Sequence, residues 1–107
     1  MGEIIVQRDE QGRIAALIGE GLEEPTPAAR TGMYLLRAAE GTLSEYLHLS
    51  PALTATDAVR LIVDRSDPLL NREIDAVMET VVRGLKLLAQ DFPDELAVHE
   101  ATLGVKV

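Results

Sequence analysis

The apolar positions change period several times along the chain, and each change marks an element. Ile4, Ile5 and Val6 lie in a β-branched run from Glu3 to Arg8; the polar turn Asp9-Glu10-Gln11-Gly12 follows, and a second run extends from Arg13 to Gly19. Two such runs joined by a glycine-containing turn predict a hairpin. Glycine, proline and clustered like charge in Glu20-Gly21-Leu22-Glu23-Glu24-Pro25 predict an exposed loop. At Thr26-Pro27 the pattern turns helical, because a hydroxyl cap precedes a residue whose backbone is already set for the first turn. Leu35, Leu36, Ala39, Leu43, Tyr46 and Leu47 then recur at helical spacing and form the expected core stripe. Gly41 weakens this helix without ending it, and Ser50-Pro51 marks its exit, since proline pushes the residue before it out of the α region.

Ala52–Thr56 and Ala58–Asp64 are the next strand candidates. In the second of them Val59, Leu61 and Val63 share one side, and Arg60, Ile62 and Asp64 the other. Ser66-Asp67-Pro68 repeats the cap-then-proline signal, and Ile74, Val77, Met78, Val81, Leu85 and Leu88 form a long stripe before Phe92-Pro93. The tail from Glu95 to Val107 has β-type content in Val98, Thr102, Val105 and Val107 and is expected to return to the sheet. The expected order is β-β-α-β-β-α-β: an α+β fold of two layers, with two helices against one face of a mainly antiparallel sheet.

Composition narrows the chemistry. At 107 residues the chain makes one domain, residues 1–107, and its 47% apolar content can build a core without metal or disulfide staples. A net charge of −8 argues against direct nucleic-acid binding and suits solubility or docking on a basic surface. With no cysteine, thiol nucleophiles, disulfides and thiolate metal sites are excluded together. His48 and His99 are too few for a multi-histidine centre, so neither metal nor cofactor is expected. No run is long enough for a membrane span, and the absence of a secretion signal leads to a cytoplasmic expectation.

Few residues invite a catalytic reading. Ser50 and Ser66 read as helix-boundary residues, and Ser44 has no nucleophile-elbow glycines around it. His48 suits the negative end of the first helix, and His99 falls in a strand. Glu20, Glu23 and Glu24 fit a solvated loop, although carboxylates so placed could serve as a base or as ligands for a hard cation. Met33-Tyr34-Leu35-Leu36 is apolar on more than one helix face, so Met33 and Tyr34 are candidates for a groove or subunit contact.

Across nearly its whole length this order of segments resembles the ribosomal-processing cysteine protease family, Prp. Ile4-Ile5-Val6-Gln7-Arg8-Asp9-Glu10-Gln11-Gly12-Arg13-Ile14 is similar to the family's first hairpin, which ends in Gly-His-Ala where this chain has Gly19-Glu20-Gly21. Val77-Met78-Glu79-Thr80-Val81-Val82-Arg83-Gly84-Leu85-Lys86-Leu87-Leu88-Ala89-Gln90-Asp91-Phe92-Pro93 is similar to the family's Leu-Glu-Thr-Leu-Val-Leu-Gly-Leu-Lys helix ending in Tyr-Pro. Aligned on Thr42, the resemblance puts Met33 at the family's cysteine, Glu20 at its histidine, Arg30 at an aspartate and Arg37 at a serine.

The resemblance implies a cytosolic homodimer built like an enzyme that trims the N-terminal extension of a large-subunit ribosomal protein. The reaction itself needs a thiolate and an imidazole, and neither Met33 nor Glu20 supplies one. The expectation is therefore a non-catalytic relative that binds a ribosomal protein or another peptide, or that acts as a dimer module. Gly19, Gly21, Arg30, Tyr34 and Arg37 are its candidate contacts. The alternative is a hydrolase of another class that uses Glu20, Glu23 or Glu24.

Overall fold

The computed structural model describes residues 1–102. Val105 and Val107, assigned above to the last strand, lie outside the described residues. Strand β1 (Gly2–Arg8) pairs antiparallel with β2 (Ile14–Glu20), with Val6 opposite Leu17 and Ile4 opposite Gly19. The turn is set by Asp9, whose side-chain Oδ1 accepts from the Gln11 and Arg13 amides at 2.9 and 3.0 Å, while Gly12 takes a φ of 81°.

Helix α1 (Pro27–Gly41) starts where the cap signal puts it. Thr26 Oγ1 accepts from the Ala29 amide at 3.3 Å, and Glu95 Oε1 reaches from the far end of the chain to accept from the Ala28 amide at 3.0 Å. Beyond Gly41 the chain continues as a wider, π-type turn over Thr42–Tyr46, closed by the Leu47 amide donating to the Thr42 carbonyl at 3.1 Å. That widening shifts the helical phase, so Leu43 is buried while Tyr46 is 78% exposed and leaves the stripe assigned to it. The chain turns away at His48, whose φ is 58°, two residues before Ser50.

Strands β3 (Ala52–Ala55) and β4 (Val59–Ile62) form a second hairpin, shorter than the sequence pattern suggests. Leu61 and Val63 are buried and Arg60 and Ile62 exposed, as the alternation requires. Asp67 caps a short 3₁₀ turn over Pro68–Leu70 that leads into helix α2 (Asn71–Asp91). Strand β5 (Leu96–Thr102) runs parallel to β1, and the sheet order is β3-β4-β2-β1-β5. The architecture is thus the expected α+β order, with one parallel pair in an otherwise antiparallel sheet.

Leu36, Leu43, Ile74, Met78 and Leu85 bring the helices down onto Ile4, Val6, Leu17 and Leu61 of the sheet. Val81 packs half-buried against the core as the stripe expects, and Val82 is buried beside it, because α2 touches both α1 and the sheet and its covered face is wide. No buried side-chain polar atom among the described residues lacks a partner. No helix among them is long and apolar enough to cross a membrane.

Two ion clusters fasten the edges. Arg65 donates to the Ile14 carbonyl, to Asn71 and to Asp75, and Arg13 also pairs with Asp75, so the start of α2 is tied to β2. Arg8 bridges Glu79 of α2 and Glu100 of β5, each at 2.7 Å, and Lys86 adds a contact to Glu100 at 3.1 Å. The hydrogen bond from Arg8 holds the carboxyls of Glu79 and Glu100 below their ordinary value of 4.5; Lys86 adds to the effect at Glu100. A carboxyl whose pKa is lower folded than unfolded stabilises the fold above its unfolded pKa and loses that contribution as pH falls through the folded one. Acid unfolding should therefore steepen below pH 4.5. Arg8→Gln should flatten that slope, because Glu79 and Glu100 then repel each other in the folded state; equal slopes in the two proteins would contradict the assignment. Both carboxylates are well exposed, so solvent screening keeps the effect modest.

Candidate functional site

The site is built around a residue the sequence assigned to an exposed loop. At Gly19 a Cβ would lie 2.4 Å from Leu22 Cδ1, so the bare backbone at the end of β2 leaves the space that Leu22 fills. Gly21 turns the chain with a φ of 69°, and its Cβ would lie 2.6 Å from the Met1 carbonyl oxygen. The loop thereby folds back, and Leu22 is only 5% exposed. Gly19 and Gly21 shape the surface by setting Leu22 and do not line it.

On the opposite side, α1 presents Met33, half-buried, with Arg30, Tyr34 and Arg37 exposed around it. Leu22, Arg30, Met33, Tyr34 and Arg37 line a depression of about 210 Å³. Leu22 and Met33 also border a larger one of about 450 Å³, closed by Glu23 and by the β3–β4 turn from Ala55 to Val59. The two share Leu22 and Met33 and form one groove with its waist there. Its smaller end carries two guanidiniums, and its larger end carries the carboxylates of Glu23 and Asp57. Arg37 stands 5.8 Å from the centre of the Tyr34 ring, within cation–π range. A third, open depression lies over the π-type turn, bounded by Ala38, Gly41, Thr42, Glu45 and Tyr46.

Of the two positions matched to a catalytic pair, Met33 lines the groove, whereas Glu20 is exposed at the end of β2 and borders neither half. Glu24 pairs with the Met1 ammonium at 2.6 Å. Among the described residues, no group of three or more His, Asp or Glu side chains is placed to hold a metal ion. Thr31, Thr42, Ser44 and Thr80 donate their hydroxyls to helix carbonyls, and His48 and His99 are both exposed. Chemically the groove offers an apolar seat with opposite charges at its two ends.

Leu22 and the β3–β4 turn are the parts that sequence reasoning missed. The available signal was a lone leucine between Gly21 and a pair of glutamates, since a large apolar side chain in so polar a loop needs cover.

No family model matches the sequence, and no curated protein does. Solved structures do match in fold. The ribosomal processing protease Prp from S. aureus, solved with a substrate peptide, superposes with a TM-score of 0.80 at 10% identity, covering 94% of this chain and 100% of that one. The same protease with a covalently linked product peptide gives 0.79 at 11% identity, with coverage of 94% and 100%. SMU.848 from Streptococcus mutans gives 0.83 at 12% identity and 95% coverage of both chains. The chain therefore has the fold of the ribosomal processing protease Prp, in a sequence without a single cysteine.

Proposed function

We propose that this protein is a non-catalytic, Prp-like peptide-binding domain, in which the former cleavage groove holds a segment of a ribosomal or other protein without cutting it. The observation that carries the reading is the groove waist, where Met33 presents a thioether with no ionisable proton opposite Leu22. Peptide complexes of proteins with this fold support the choice of ligand class. An apolar floor with a few charged groups at its ends is a common form for a peptide seat.

Methyl NMR tests it directly, because the three methionines lie in different surroundings. Met33 borders the groove, Met78 is fully buried in the core and Met1 is 55% exposed. Adding a peptide from the N-terminal extension of a ribosomal protein should shift the Met33 methyl signal and leave Met78 in place. Mass spectrometry of the same sample should recover the peptide intact. A still Met33 signal at millimolar peptide, or a cleaved peptide, would refute the proposal. Pairing of two copies through Tyr34, 66% exposed, is the competing use of this surface. Light scattering on the free protein distinguishes it by a doubled mass.

A further inference from the structure

The groove carries its charges in two separate sets, guanidiniums at the smaller end and carboxylates at the larger. Acidic residues outnumber basic ones by 18 to 10. Arg8, Arg13, Arg65 and Lys86 have carboxylate partners, whereas Arg30, Arg37, Arg60, Arg72 and Arg83 are in no salt bridge among the described residues. Of these five, Arg30 and Arg37 border the groove. Glu23 and Asp57, at the other end of the groove, are likewise in no salt bridge among the described residues. Arg30 and Arg37 are two helical turns apart on α1 and reach one depression, with Arg37 held beside the Tyr34 ring. A long cationic side chain kept near an aromatic face loses less freedom on binding than a solvated one.

We infer that the groove selects an extended peptide segment whose apolar residue, seated between Leu22 and Met33, is flanked on one side by a carboxylate for Arg30 and Arg37 and on the other by a cation for Glu23 and Asp57. This rests on the peptide-binding reading and adds the sequence class of the ligand. Two guanidiniums can take a carboxylate with forked hydrogen bonds, whereas the neutral amide of the same shape offers one acceptor and no charge. Opposite charges at the two ends also reject segments that are wholly acidic or wholly basic, because one end of each meets like charge. Nucleic acid fits poorly, since its phosphates would meet Glu23 and Asp57 at the larger end.

Fluorescence anisotropy with labelled pentapeptides decides the matter. The panel centres on Glu-Phe-Lys and Lys-Phe-Glu, with Gln-Phe-Lys, Lys-Phe-Gln, Glu-Phe-Gln and Gln-Phe-Glu as neutralised forms. Wild-type protein at low salt should bind the better of the two charged peptides about five- to tenfold more tightly than its Gln-Phe-Lys or Lys-Phe-Gln counterpart, a preference that shrinks as salt screens it. In R30Q/R37Q that preference should vanish, with a cooperative thermal unfolding transition showing that the variant is folded. E23Q/D57N should remove the preference for lysine over glutamine in the same way. Equal wild-type affinity for charged and neutralised peptides overturns the inference and leaves the peptide-binding reading standing. Failure to bind any peptide of the panel or the ribosomal peptide removes both. An RNA oligonucleotide that outcompetes every peptide also overturns it.

Discussion

Replacing Leu85 with alanine will lower the stability of the domain by about 2–5 kcal/mol, a large part of the roughly 5–15 kcal/mol that holds such a domain together. Leu85 has no exposed surface, and it packs across from Gly32 on α1. Because glycine has no side chain to move into the vacancy, the cavity can shrink only if the helices themselves shift, which puts the cost toward the upper part of that range. Leu87→Ala, two positions along the same helix but 54% exposed, should stay within about 0.5 kcal/mol of wild type. Urea unfolding followed by circular dichroism gives both values. A Leu85→Ala midpoint equal to that of Leu87→Ala would show that α2 does not pack on α1 through this residue.

Gly21→Ala should cost about 1–3 kcal/mol, from two separable sources. One is the left-handed backbone, with a φ of 69°; the other is the meeting of the new methyl with the Met1 carbonyl oxygen at 2.6 Å. Gly12→Ala is the matched control, since Gly12 has a φ of 81° but open space where a Cβ would go. The difference between the two variants isolates the steric part, and about 1 kcal/mol in a domain of this size moves the melting temperature by about 4–8 °C. Gly21→Ala should also displace Leu22 and shift the Met33 methyl signal, which Gly12→Ala should not. Equal melting temperatures for the two variants would mean that the loop does not close onto β1.

How far the sequence foretold this molecule depends on whether each signal was local. Thr26-Pro27 and Asp67-Pro68 mark helix starts by chemistry confined to two residues, and each helical segment begins where that chemistry puts it. The first hairpin is equally local, set by Asp9 and Gly12. Tyr46 leaves the stripe because a periodic pattern assumes a constant pitch, and the π-type turn changes it at Thr42. The direction of β5 could not be read from β-type content, which identifies a strand and not its neighbour. Within the candidate site, Arg30, Met33, Tyr34 and Arg37 recur at spacings of three and four along α1, a local pattern, and line one depression. Leu22 and Asp57 join them only through tertiary contacts, one by way of Gly19 and the other by the β3–β4 turn.

The pairing of β1 with β5 bears on how the chain acquires its structure. Gly2 lies beside Leu96, and Arg8 beside Thr102, so β1, synthesised before the other four strands of this sheet, has one flank that stays bare until residues about ninety positions later arrive. Such distant partners must surrender much configurational freedom before any contact compensates for it, which places this step late and makes it slow. A ribosome-bound fragment ending before Leu96 would keep the β1–β2 hairpin while lacking the β5 strand that covers its outer edge, and that open backbone is a template for joining other chains.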